Sequence, residues 1–248
     1  MRFFLLGGLE VQDINGRRIR VNRVKHRQLL ALLLLRANHA VSTDQLVDGM
    51  WPGDPPSSAK GNVKTYISVL RPQVCQAGAL IETVPRGYRL LVPVELVDVL
   101  LFEALVQAGT RAAQDGDDAR AVQHLQRATA LWRGEALQDV LPCGGPIRDA
   151  ATRLNEKRLA VVQDLAAALI RLGRYGDAID YLRTAVCEEP LRERLWSLLM
   201  VALHREGRRA DSLAAYLEFR AIIVKSIGLE PSRDLRTLHS RILLDDPL

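Results

Sequence analysis

From Arg2 to Val21 short apolar stretches alternate with turn-forming residues, and Asn15-Gly16 supplies the positive backbone dihedrals of a tight hairpin turn, which predicts a small N-terminal sheet. A strongly apolar stretch from about Lys25 to Asn38 predicts a first helix. Ser42-Thr43-Asp44-Gln45 then reads as a capping box, so a second helix is expected from Ser42 to about Trp51. Pro52, Gly53, Pro55 and Pro56 forbid its continuation. Ser57 or Ser58 is placed to cap a third helix running to Arg71, with Pro72 marking its end. Leu80 to Val84 and Tyr88 to Val92 read as two strands around a short basic hairpin, Pro85-Arg86-Gly87.

Beyond Pro93 the period changes. From Asp98 to Leu244 only helical periodicity is found, which places a boundary near residues 93 to 97 and predicts two domains, 1–95 and 96–248. Gly173 to Leu182 superposes on Gly207 to Tyr216 at an offset of 34, matching Gly173 with Gly207, Arg174 with Arg208 and Asp177 with Asp211. That offset is the tetratricopeptide period, a two-helix unit whose turn needs glycine. Gly116, Ala121 and Leu125 repeat the pattern at an offset of 57, the extra length lying around Gly134 to Pro146, where Pro142-Cys143-Gly144-Gly145-Pro146 is expected to be a loop. The expected fold is therefore an α+β N-terminal winged helix-turn-helix followed by an all-α, tetratricopeptide-like repeat domain of about three units.

Composition narrows the field. A chain of 248 residues with 48% apolar and 25% charged positions can bury a real core in two domains. Its longest apolar run, Leu29 to Leu35, is far too short for a membrane span, and the first residues lack a signal-peptide pattern, so a cytoplasmic protein without a membrane partner is expected. Cys75, Cys143 and Cys187 are scattered without metal-ligand or disulfide spacing and read as buried apolar fillers. Residues 1–95 carry 13 Lys and Arg against 7 Asp and Glu, while the remainder carries 21 against 22, so the positive excess is confined to the first part. Such a bias suits a polyanionic partner. No phosphate-cradling glycine loop, zinc-protease motif, nucleophile elbow or clustered His and acid is found, so neither an enzyme nor a metal or cofactor is expected.

Strands, three helices and a basic hairpin in this order read as a winged helix, in which the third helix enters the DNA major groove and the wing meets the adjacent backbone. Ala59, Val63, Tyr66, Ile67 and Leu70 fall on one face of the third helix and should pack on the core. The opposite face carries Gly61, Thr65 and Ser68 flanked by Lys60, Lys64 and Arg71, with no carboxylate between Ser57 and Arg71. Small, hydrogen-bonding and cationic side chains suit close approach to phosphates and base edges. Arg86 at the hairpin tip and Arg89 in the next strand extend the basic surface, and Lys25, His26 and Arg27 at the start of the first helix offer a second phosphate contact. Trp51 reads as a core anchor and Tyr88 as an inward support beneath the arginines.

Met50-Trp51-Pro52-Gly53-Asp54-Pro55-Pro56, Lys64-Thr65-Tyr66-Ile67-Ser68-Val69-Leu70-Arg71 and Thr83-Val84-Pro85-Arg86-Gly87-Tyr88-Arg89-Leu90 together resemble the OmpR-type winged helix of the Streptomyces antibiotic regulatory proteins. The second half resembles their bacterial transcriptional activator domain through Asp98 to Phe102, Leu131-Trp132-Arg133-Gly134, Glu189 to Arg194 and Ile227 to Ser232. The resemblance implies an activator of a secondary-metabolite gene cluster that binds direct repeats in promoter DNA and recruits RNA polymerase holoenzyme. Lys60-Gly61-Asn62 departs from a region often richer in Arg and Thr, which leaves the target sequence open. The rigid turn Trp51, Pro52, Gly53 and Asp54, directly before the DNA helix, is expected to face the polymerase. Two protomers in the same orientation are expected on DNA, because one winged helix reads only a few base pairs. The competing reading is a protein-interaction adaptor whose winged helix has lost its affinity for DNA.

Overall fold

The computed structural model describes residues 1–140 and 145–246. They form two compact units, residues 1–104 with 130–157, and residues 105–129 with 158–246.

In the first unit β1 (Phe3–Phe4), β2 (Glu10–Gln12) and β3 (Arg18–Ile19) pair antiparallel in that order, with Phe3 opposite Val11 and Val11 opposite Ile19. The β2–β3 connection is wider than a two-residue hairpin. The Asp13 carboxylate accepts the Asn15 and Arg17 N–H groups, each at 2.8 Å, and Gly16 takes a φ of +78°. Helix α1 spans Val24–Leu35 and ends before Asn38, whose side chain instead pairs with both backbone groups of Val92 at 2.9 Å. The expected capping box forms: Ser42 Oγ accepts the Gln45 N–H at 3.1 Å and Gln45 Oε1 accepts the Ser42 N–H at 3.0 Å, starting α2 (Thr43–Met50) after β4 (Ala40–Ser42).

Helix α3 differs from its expected course. It spans Ala59–Gln76 with Pro72 inside it, and Ser58 at its start does not cap a backbone N–H but accepts from the Asn62 side chain. Pro72 deprives only the carbonyl of Ser68 of a helical donor, and both residues are exposed, so water can replace it. Burial of Leu70, Val74 and Ala77 on the same flank carries the helix past the proline. Strands β5 (Leu80–Val84) and β6 (Gly87–Leu91) form the hairpin, and β4 pairs with β6 to give the order β4-β6-β5. Gly87 is needed here: a Cβ on it would lie 2.0 Å from the carbonyl oxygen of Val41.

A 3-10 turn (Val94–Leu96) leads into α4 (Asp98–Gln114), and no strand follows among the described residues. The fully buried Asp98 carboxylate accepts the N–H groups of Leu5, Leu6 and Val99 at 2.8–2.9 Å. Its neighbourhood is completed by residues 133–139, where the Arg133 and Leu137 N–H groups donate to Leu6 and Leu5 and the Asp139 carboxylate accepts from Leu9. Residues 130–157 therefore belong by packing with the N-terminal sheet.

The second unit is helical: the remainder of α4, α5 (Asp118–Thr129), the remainder of α6 (Pro146–Arg171), α7 (Tyr175–Glu188), α8 (Glu193–Arg205), α9 (Arg209–Ile227) and α10 (Arg233–Leu244). Its turns repeat as expected. Gly116, Gly173 and Gly207 take φ of +78°, +73° and +80°. Arg174 and Arg208, 34 residues apart, each donate a backbone N–H of 2.9 Å to Leu169 and Leu203 and pair with Asp177 and Asp211 at 2.6 Å. Cys75 and Cys187 are exposed rather than buried, because each follows a buried valine on its helix and so points outward. Cys143, with most of the loop expected from 142 to 146, lies outside the described residues.

Candidate nucleic-acid interface

Helix α3 is seated by its apolar face. Ala59, Val63, Ile67 and Leu70 are buried, and half-buried Tyr66 meets the edge of the His26 ring, centroids 4.9 Å apart. Burial, and then the charge of Arg23, hold the His26 pKa below the ordinary imidazole range, which favours its neutral form against Tyr66.

The outward face holds Gly61, Lys64, Thr65 and Ser68, all exposed. The Thr65 and Ser68 hydroxyls each donate to the carbonyl four residues back at 3.2 Å, which leaves their oxygen lone pairs outward as acceptors. No ion pair engages Lys64 among the described residues. Lys60 pairs with Asp44 of α2 at 2.8 Å, and this hydrogen bond raises its pKa. The pair is open to water on both sides, so a phosphate can displace the carboxylate at small cost.

The remaining arginines divide by role. Arg71 donates to the Ile81 carbonyl at 3.2 Å and to Thr83 Oγ1 at 2.7 Å, tying α3 to β5. Arg89 pairs with Glu82, its cross-strand partner, at 2.9 Å. Both stiffen the wing. Arg86 stands exposed at its tip with a φ of +64°, and its carbonyl accepts the Thr43 N–H at 2.9 Å, which locks the tip against the start of α2.

Lys25 and Arg27 do not join this face. The Lys25 ammonium donates to the Met50 carbonyl at 2.6 Å and lies 4.7 Å from the centre of the Trp51 ring. Arg27 turns inward, donating to the carbonyls of Leu9 and Val21 and pairing with Asp139 at 2.5 Å. Trp51 is half-buried, while Pro52, Gly53 and Asp54 are exposed, with Gly53 at a φ of +91°.

Residues 17–90 match the model of "Transcriptional regulatory protein, C terminal", and residues 97–243 match "Bacterial transcriptional activator domain". The regulatory protein DnrI of Streptomyces peucetius is 36% identical over all of this chain and 93% of its own length. The chain belongs to the Streptomyces antibiotic regulatory protein family. The transcriptional regulator RedD of Streptomyces coelicolor is also 36% identical, over 98% of this chain and 71% of its own. A solved structure of Mycobacterium tuberculosis EmbR, in complex with a low-affinity phosphopeptide, superposes with a TM-score of 0.88 at 33% identity, covering this whole chain and 66% of that one. The chain spans 64% of full-length EmbR. As a member of this family it is a transcriptional activator with a winged-helix part and a helical part. Among the described residues no helix is long and apolar enough to cross a membrane.

In this family member a further set of cations precedes Lys25 and Arg27, outside the residues expected from the sequence to meet DNA. Arg17 to Arg27 contains six of the 13 cations of residues 1–95 and no acid, and Arg17, Arg18, Arg20 and Arg23 are exposed without an ion pair among the described residues. Counting charge by segment within the domain would have found it.

Proposed function

We propose that this activator switches on genes of an antibiotic or other secondary-metabolite pathway by laying α3 in the major groove of promoter DNA with the wing against the neighbouring backbone. The observation that carries this reading is the exposed face of Gly61, Lys64, Thr65 and Ser68. It carries no acid, and Arg86 is exposed at the tip of a wing that Arg71 and Arg89 brace and that Thr43 ties to the start of α2. Lys64, Thr65 and Ser68 would meet base edges and phosphates, with Lys60 joining them once released from Asp44. Recognition is assigned to residues 1–95, and contacts with other proteins to the helical residues that follow. Two copies would sit in the same orientation on direct repeats about one helical turn apart, and the exposed turn from Trp51 to Asp54 would face RNA polymerase.

Gel shifts on promoter DNA from the protein's own gene neighbourhood, run over a salt series, test the reading. Arg86→Ala should weaken specific and random duplexes alike and reduce the log–log salt slope by about one, whereas Thr65→Ala should change sequence preference. Inserting about five base pairs between the repeats turns one copy to the opposite face and should abolish binding of the second. A wild-type chain with no footprint on any duplex would favour the adaptor reading instead.

A further inference from the structure

The two flanks of α3 are held by different parts of the first unit. At 3.6 residues per turn Arg71 and Gln73 point about 200° apart, with Pro72 outward between them. Arg71 is bound to the wing through Ile81 and Thr83. Gln73 donates to the carbonyl of Arg20 at 3.3 Å, and Tyr66, seven residues earlier and therefore on the same flank, packs on His26 in the first turn of α1. The run from β3 into α1 thus borders α3 opposite the wing, with α3's exposed face between the two.

That border is strongly cationic. Arg18, Arg20 and Arg23 are exposed and unpaired among the described residues, unlike Arg27, Arg71 and Arg89, which have internal partners. Arg18 and Arg20, two residues apart at the end of β3, line with Asn22 and Arg27 an open recess of about 430 Å³. Glu10 also lines the recess, but its carboxylate is already engaged by Gln12 at 2.8 Å and Arg133 at 3.5 Å.

We propose that Arg18, Arg20 and Arg23 form a second backbone grip, binding phosphates of the DNA strand that bounds the major groove on the side away from the wing. The inference rests on α3 entering the groove as proposed above. A helix about 10–12 Å across fills a groove about 12 Å wide, so each of its flanks faces one phosphate strand. The wing serves one strand. The other strand must pass the opposite flank, where these three guanidiniums offer planar donors to phosphate oxygens. An acidic protein surface would satisfy the charges equally, but the direct clamping of Arg20 onto α3 places them where α3 meets DNA.

The full-length chain tests this with a promoter duplex and a random duplex. Arg20→Gln with Arg23→Gln should lower affinity for both on the order of tenfold and reduce the salt slope by about two, leaving sequence preference and thermal midpoint unchanged, since both side chains are exposed. Phosphate ethylation interference on the wild-type chain needs no variant and should mark both strands flanking the groove. Unchanged affinity and slope in the double variant, or interference on the wing-side strand alone, would overturn the grip. Unchanged binding with lost activation would likewise overturn it and assign the patch to a protein partner. Absence of binding by the wild type would overturn the α3 interface as well, which separates the two failures.

Discussion

Asp98 shows how much one side chain can organise. Burial pushes its pKa up from 3.8 to about 6, against the opposing pull of three backbone N–H groups and the Arg133 guanidinium 4.0 Å away. With a folded-state value above the unfolded one, the folded state binds the extra proton between these limits. The contribution of Asp98 to stability is therefore complete below about pH 4, falls as pH rises to about 6, and is flat above that. Asp98→Asn, a near-isostere of the protonated carboxyl, offers the same single carbonyl acceptor and does not titrate, so it should keep the stability that the native side chain loses between these limits, on the order of 3 kcal/mol by pH 7. Urea unfolding of both proteins from pH 4 to 8 should show similar midpoints at pH 4, with the variant becoming the more stable of the two up to about pH 6 and the gap holding constant above that. A gap independent of pH would show that Asp98 titrates normally. In the sequence Asp98 was legible only as the start of a family motif, since its donors Leu5 and Leu6 lie more than 90 residues away.

The wing depends on close approach as much as on charge. Its strands, tip and pairing follow from local signals: alternating apolar residues, a Pro-Arg-Gly turn, and aromatic and β-branched residues in register, such as Tyr88 opposite Thr83 and Val41. What the alternation does not reveal is that β6 is pinned between two strands and that the β4 backbone at Val41 and Ser42 lies directly against Gly87. Gly87→Ala should push β6 off β4 and cost at least about 3 kcal/mol, seen as a large fall in the urea midpoint together with weakened DNA binding. An alanine variant of native stability would mean that β4 can move aside. Helix α3 carries the converse lesson. Pro72 is a sound local stop signal, yet tertiary burial of Val74 and Ala77 outweighs it.

At the scale of the whole molecule, packing and sequence order divide the chain differently. A change in period near residue 95 separates sheet-containing from purely helical sequence, whereas the first compact unit takes in Asp98 and residues 130–157 as well. A fragment of residues 1–95 therefore loses the acceptor for Leu5 and Leu6, the Arg133 and Leu137 N–H donors to their carbonyls, and the Asp139 partner of Leu9 and Arg27. It exposes those backbone groups and the apolar surface beside them. Such a fragment should unfold at much lower urea than the full chain, with early hydrogen exchange at Leu5, Leu6 and Leu9, while a chain ending at 157 keeps the protection of these amides. Equal protection in the short fragment would show that the later segment adds nothing to the sheet.

By itself the sequence determined the elements whose signals are local: the capping box at Ser42, the wing hairpin, the apolar face of α3 and the glycine turns at Gly173 and Gly207. Each rests on residues within a few positions of one another, so periodicity and turn chemistry suffice. Tertiary structure alone decided which cations remain free. Lys25, Arg27, Arg71 and Arg89 look equivalent to Arg86 in a charge count, but each meets an internal carbonyl, hydroxyl, aromatic face or carboxylate in the fold, and among the described residues Arg18, Arg20 and Arg23 do not. Those partners come from up to 112 residues away, a distance over which no local pattern carries information about contact.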